Sequence, residues 1–336
     1  MPRKKLEESD SESGGSYFAS PYDSVNFIKT GATTLDCTLS GGWALGRIAN
    51  IVGDKSTGKT LLAIEAMANF ARDYPEGKRY YCEVEAAFDK GYAAALGMPD
   101  VEFVEDVFTV EDFYEDLKTK IEESEGSKEP ALYILDSLDA LSDQAELDRE
   151  IGKGSFGAEK AKKMSETFRR LTQKLESSNI SLIVISQVRD NMNAMAFGKK
   201  TKRSGGRALD FYCSQVIFLA HVKQLTKTIK GVKRPIGVQI KVKCEKNKIG
   251  LPFRECEFPI LFAYGIDDFK ANVDWLLEHD KTSYADLNQT QAKDLIKKMN
   301  KMSDDEFYDL SDKLSGAVGK AWRDIEIDFI PKRKKY

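Results

Sequence analysis

The chain has only two histidines, His221 and His279, and its five cysteines, at 37, 82, 213, 244 and 256, form no CxxC pair. That scarcity argues against a Cys/His zinc site and against a disulfide framework. Cys82, Cys213 and Cys244 fall in apolar or alternating stretches and read as reduced core. No apolar run approaches the roughly 18 residues of a membrane span, and the opening "MPRKKLEESDSESGG" lacks the apolar stretch of a signal peptide. A cytoplasmic protein with no membrane partner is therefore expected. A dominant charge is missing too: the net charge is −3 over 336 residues, which leaves any nucleic-acid binding to local clusters. What is present is 41% hydrophobic and 31% charged residues, a globular composition that suits one main domain with appendages.

Residues 1–20 are rich in Ser, Glu, Gly and Lys and carry too little apolar surface to offset the entropy of ordering, so a disordered polar tail is expected there. From about residue 25 to 265, short apolar runs alternate with helical patterns. "RIANIV" (47–52), "RYYCEV" (79–84), "ALYILD" (131–136), "SLIVIS" (181–186) and "SQVIFLA" (214–220) read as buried strands. Helices are expected over 59–74, 110–124 and 161–178. The alternation implies an α/β fold with a mostly parallel central sheet flanked by helices. Two alternating runs, 238–249 and 254–266, suggest an antiparallel pair at one edge. Residues 269–336 read as a small helical region ending in a basic tail, with helices starting at serine caps in "SYADLNQTQAKDLIKKM" and "SDDEFYDLSDKLSGAVGKAW".

The stretch "GDKSTGKT" (53–60) follows an apolar strand and opens an amphipathic helix, the setting of a P-loop. Gly53 and Gly58 let the backbone turn tightly, so that the N–H groups of Asp54, Lys55, Ser56 and Thr57 and the helix N-terminus face an anion. Lys59 would reach the β and γ phosphates of a nucleotide such as ATP, and Thr60 would place its hydroxyl on Mg²⁺. Asp136, closing the strand "ALYILD", is placed as the second metal partner, although many buried strands also end in Asp at a plain turn.

With these motifs in view, "GDKSTGKT", "EVEAAFDKGYAAALGM", "LDSLDAL", "EIGKGSFG", "ISQVRDNMNAMAFG", "SGGRALDFY" and "VKCEKNKIGLPF" resemble, in order and interval, the bacterial strand-exchange ATPases of the RecA family. The resemblance covers residues 30–266 and implies a RecA-like ATPase core over 21–268. It assigns Glu85 as the carboxylate that activates the attacking water, and Asp89 and Tyr92 as adenine contacts. Gln187 is implied as the γ-phosphate sensor. Lys246 and Lys248 are implied to reach the ATP of a neighbouring subunit. For each of these a plain structural reading stands beside the functional one: a strand-end carboxylate or amide, a packed tyrosine, a solvated charge cluster.

Two segments, 149–163 and 188–207, combine glycine, cations and isolated apolar side chains, chemistry that suits single-stranded DNA. The resemblance makes them the two DNA-binding loops. Phe156 would wedge at base steps in the first; Met192 and Phe197 are the apolar residues of the second. Lys162, Arg169, Arg189, Lys199, Lys200, Lys202, Gly205 and Gly206 would contact or approach phosphates. A mobile surface loop charged for solubility is the alternative.

The resemblance has limits. Only a polar tail precedes residue 22, where bacterial relatives carry a helix that docks on the next subunit, so that contact is shortened or replaced; "SVNFIKT" (24–30) could pair as an edge strand. Residues 271–336 match no motif of the bacterial C-terminal domain. The short N-terminus and acidic, helical C-terminus look like phage recombinases, which places the chain in a bacterial or phage-infected cytoplasm. The implied function is a DNA-dependent ATPase that forms a filament on single strands, pairs them with duplex DNA, and is loaded by mediator proteins. The alternatives are a hexameric helicase-like motor and a non-catalytic recombination mediator.

Overall fold

A run that is apolar at every position has no side to show to water. Each expected strand of that kind is buried on both faces in the computed structural model, which describes residues 25–86, 88–147, 157–190, 201–203 and 206–333. The first part of the chain forms β1 (Phe27–Ile28), α1 (Thr33–Thr38), β2 (Trp43–Ala44), β3 (Ile48–Gly53), α2 (Lys59–Asp73), β4 (Lys78–Glu83), α3 (Lys90–Ala95) and β5 (Glu102–Val104). The middle forms α4 (Val110–Ser124), β6 (Ala131–Asp136), α5 (Gln144–Leu147), α6 (Gly157–Ser178), β7 (Ile180–Asp190), β8 (Thr201–Arg203) and α7 (Gly206–Tyr212). Then come β9 (Gln215–Ile229), β10 (Val232–Asn247), β11 (Glu255–Leu261), β12 (Gly265–Ile266), α8 (Asp268–Glu278), α9 (Gln289–Lys298) and α10 (Asp304–Asp328).

The main sheet runs β12-β11-β10-β9-β3-β7-β6-β4-β5, with β8 paired to β7. From β9 to β5 neighbours are parallel, and β9 to β12 are antiparallel, as the two alternating runs implied. Period-two alternation divides the strands between two cores. Leu132, Ile134, Ile183 and Ile185 face α2 in one; Tyr133, Leu135, Leu182 and Val184 face α4 and α6 in the other. A third core joins α8, α9 and α10 through Phe269, Val273, Trp275, Ala292, Val318 and Trp322. Among the described residues no helix is long and apolar enough to cross a membrane.

The structure corrects three expectations. The strand expected over 214–220 continues to Ile229 and turns into β10 through Lys230 and Gly231, whose φ angles of 50° and 79° make the two-residue hairpin turn. Its outer half is exposed on both faces, so no apolar run announces it. The helix expected from Ser283 starts at Gln289 instead, capped by Asn288, because a 3-10 turn at Thr282–Ala285 ends in Asp286 with φ 56°. Ser303 does cap α10. Within "SVNFIKT", Phe27 and Ile28 pair with Ala44 and Trp43 of their own chain. The run 254–266 is divided into β11 and β12, with Ala263 at φ 58° between them. The polar tail 1–20 lies outside the described residues.

Candidate active site

β3 delivers Gly53 and α2 begins at Lys59, so the intervening residues 54–58 join a buried strand to a helix N-terminus. Gly58 takes φ 86° at the N-cap, a conformation other residues resist. A Cβ on Gly53 would stand 2.5 Å from Thr57 Oγ1, so the turn needs that glycine as well. The loop is wound on one carbonyl: Thr57 Oγ1 donates to Asp54 O at 2.9 Å and Lys59 Nζ to the same oxygen at 2.7 Å. No side chain caps α2, whose first N–H groups are thus left for an anion.

Burial pulls the pKa of the Lys59 ammonium below the ordinary lysine range, and the carboxylates of Asp136, Glu85, Asp54 and Asp139 oppose that shift. Asp136 is 7% exposed at the end of β6, and its Oδ2 accepts from Thr60 Oγ1 at 2.8 Å and from Tyr81 Oη at 2.9 Å. Burial raises the Asp136 carboxyl above the usual aspartate range, and the two donated hydrogen bonds oppose that shift. The Thr60 hydroxyl gives its one proton to Asp136 and keeps its lone pairs. An oxygen donor beside a carboxylate, at a helix N-terminus that no side chain caps, fits Mg²⁺, which takes few protein ligands and shares the rest of its shell with phosphate and water.

Across this pair, Glu85 follows β4 and its Oε1 accepts from Ser137 Oγ and from Gln187 Nε2, the latter at 2.9 Å. The Gln187 main-chain N–H donates to Asp139 Oδ2 at 2.6 Å, which ties β7 to the turn after β6. Lys59, Thr60, Asp136, Glu85 and Gln187 therefore gather at the carboxyl ends of β3, β6, β4 and β7, where open α/β sheets bind ligands.

A family model described as the RecA N-terminal domain matches residues 17–267. Protein RecA of Wolinella succinogenes is 31% identical over 309 residues, 90% of this chain and 85% of the relative. Protein RecA of Chlamydia trachomatis serovar L2 is 34% identical over 304 residues, 88% of this chain and 83% of the relative. That of Leptospira meyeri is 33% identical over 263 residues, 78% of this chain and 65% of the relative. This chain belongs to the RecA family.

Of the remaining assignments, Asp89 and Tyr92 lie together at the start of α3, and Lys246 and Lys248 lie at the end of β10 and just after it. Asp89 is the N-cap of α3, its Oδ1 accepting from Tyr92 N at 2.9 Å, and Tyr92 is 45% exposed, open to a partner. Phe88, just before this pair, packs at 4.7 Å on Tyr81, whose hydroxyl bonds the Asp136 carboxylate. Lys246 and Lys248 face α7: Lys246 Nζ donates to the carbonyls of Asp210 and Phe211, and Lys248 Nζ to that of Phe211 at 3.2 Å.

In both expected loop segments the described residues are helix or strand. α6 begins at Gly157, four residues before the expected start, and Lys162 and Arg169 fall within the helix expected over 161–178, seven residues apart on one exposed face. β7 and β8 pair Arg189 with Lys202 in antiparallel register, and Gly206 starts α7. Of the second segment, the described residues 188–190 and 201–203 are thus paired strands. Phe156, Met192, Phe197, Lys199, Lys200 and Gly205 lie outside the described residues.

Sequence reasoning misses Tyr81, Ser137 and Asp139. The last two stand in the quoted "LDSLDAL", where polar residues straight after a buried strand signal a turn that serves the site. Tyr81 carries a fainter sign: a phenol in an apolar strand needs a hydrogen-bond partner, and the sequence does not name it.

Proposed function

We propose that this RecA-family chain is a DNA-dependent ATPase that coats single-stranded DNA as an ATP-bound helical filament and pairs it with a homologous duplex for strand exchange. One observation carries the link between nucleotide and DNA: the Gln187 amide bonds the Glu85 carboxylate, and β7 continues from Gln187 into the Arg189–Lys202 strand pair. A change at the γ-phosphate that moves Gln187 therefore pulls on the DNA segment through a strand, without a flexible joint.

ATP would enter with its phosphates at the N-terminus of α2, facing Lys59 and the loop N–H groups, and with adenine against Tyr92 and Asp89. Thr60 and Asp136 would hold Mg²⁺, which neutralises charge on the β and γ phosphates when bound. Glu85 accepts a proton from the water that attacks the γ-phosphorus, as the bond to the β-phosphate oxygen breaks and ADP is left. Gln187 bonds the γ-phosphate and returns to Glu85 once phosphate has gone. Lys246 and Lys248 leave the α7 carbonyls to meet transition-state charge on a neighbour's nucleotide. Lys162, Arg169, Arg189 and Lys202 meet DNA phosphates, and loading by mediator proteins fits the same cycle.

Electron microscopy of the protein with single-stranded DNA and a slowly hydrolysed ATP analogue tests the reading. Helical filaments that disappear in Lys59→Ala are expected. Closed rings would favour a helicase-like motor, and bare strands a mediator.

A further inference from the structure

Tyr81 lies in the interior of β4, fully buried, with its ring against Phe88 at 4.7 Å and Phe103 at 5.9 Å. A phenylalanine would fill that apolar space without the cost of desolvating a hydroxyl. The hydroxyl is nevertheless there, and it donates to Asp136 Oδ2 at 2.9 Å, on the next strand of the sheet. The same oxygen accepts from Thr60 at 2.8 Å. Two donors meet on Oδ2, one from the P-loop helix and one from the sheet.

We infer that Tyr81 is a positioning residue for the metal side of this site, its phenol fixing the Asp136 carboxylate so that the cation's shell forms against a carboxylate already in place. The inference rests on the reading of Thr60 and Asp136 as the Mg²⁺ residues. The division of labour follows from rigidity. The Thr60 hydroxyl turns about a single bond and serves the cation as well as Asp136. The phenol cannot turn away, because Phe88 and Phe103 hold its ring. With Oδ2 anchored by two donors, the other carboxylate oxygen is left for the water shell of a bound cation. Groups that orient a metal's ligands commonly change its affinity by about 10- to 100-fold when removed.

The same side chain supports the far end of the nucleotide. Phe88, packed on the Tyr81 ring, sits one residue before Asp89, the cap of α3. Hydroxyl and ring therefore have separable tasks. Tyr81→Phe removes the first and keeps the second.

The test titrates Mg²⁺ into protein with a fluorescent ATP analogue and reads the midpoint of nucleotide binding for wild type, Tyr81→Phe, Asp136→Asn and the double variant. In Tyr81→Phe the midpoint should rise by about tenfold or more, with nucleotide affinity at saturating Mg²⁺ unchanged. In the Asp136→Asn background the same substitution should add no further shift. Tyr81→Phe is a smaller, less polar replacement in an apolar site and is expected to fold, which the metal-free melting temperature checks. An unmoved midpoint overturns the inference, and a lowered melting temperature with that unmoved midpoint makes Tyr81 a packing residue only. A wild type whose nucleotide binding ignores Mg²⁺ would instead fail the reading of Thr60 and Asp136.

Discussion

Glu85 follows β4 with one carboxylate oxygen bonded by two neutral donors, the Ser137 hydroxyl and the Gln187 amide. Both donors hold the orientation of the carboxylate, and neither brings a positive charge to it. A base must reach its water before its proton affinity matters. Glu85→Gln retains the size and loses the proton acceptor. Single-turnover hydrolysis should fall by about 100- to 10,000-fold, while ATP binding and DNA binding persist and the DNA complex lives longer. Normal turnover in that variant would remove Glu85 as the base. Gln187 stands on the same oxygen, so its substitution should alter DNA-stimulated hydrolysis more than basal hydrolysis, which separates sensing from proton transfer.

At the scale of elements, a polar cluster joins the C-terminal helices to the ATPase body, in addition to the ion pair between Arg254 and Glu326 of α10. The partly buried Asp268, first residue of α8, accepts from Thr33 N and Thr33 Oγ1, both at 2.7 Å, and from the buried Asn272 amide at 2.9 Å. Ser315 of α10 meets the same group, 3.0 Å from Thr33 Oγ1. Asp268→Ala strands the Thr33 N–H without an acceptor and leaves the Asn272 amide only its longer bonds to Ser315 Oγ and Thr33 Oγ1, at a cost of about 1–3 kcal/mol in urea unfolding, whereas nucleotide binding to the folded protein should not change. A loss under about 1 kcal/mol would show the cluster to be solvent-satisfied. What is legible in the sequence at this scale follows a physical rule. The bounds of β6 and α4 can be read directly, because a six-residue apolar run and a 3.6-residue period are local signals. The P-loop is legible for the same reason, since eight adjacent residues build it. α1 escapes such a reading because its six residues are too short to show a period. The outer half of the β9–β10 hairpin escapes it because that half is exposed on both faces. Tyr81 and Asp136 are 55 positions apart, and only the parallel register of β4 and β6 brings them together.

At the scale of the whole molecule, the proposed site divides into two groups of residues. Its P-loop side carries Lys59, Thr60 and Asp136, while Lys246 and Lys248 rest on the carbonyls at the end of α7. A head-to-tail assembly would join the first half of one copy to the second half of the next, and such contacts build filaments or rings according to whether the rotation closes. Complementation distinguishes action between copies from action within one. Glu85→Gln lacks the base but keeps both lysines; Lys246→Ala/Lys248→Ala keeps the base but lacks them. Each alone should hydrolyse ATP poorly on single-stranded DNA. In an equimolar mixture that assembles at random, about one interface in four pairs an intact Glu85 with intact lysines. Hydrolysis should then recover to about a quarter of the wild-type rate, and dilution below the assembly concentration should abolish the recovery. If the lysines served the nucleotide of their own chain, no mixed interface would be complete and the mixture would stay as inactive as its components.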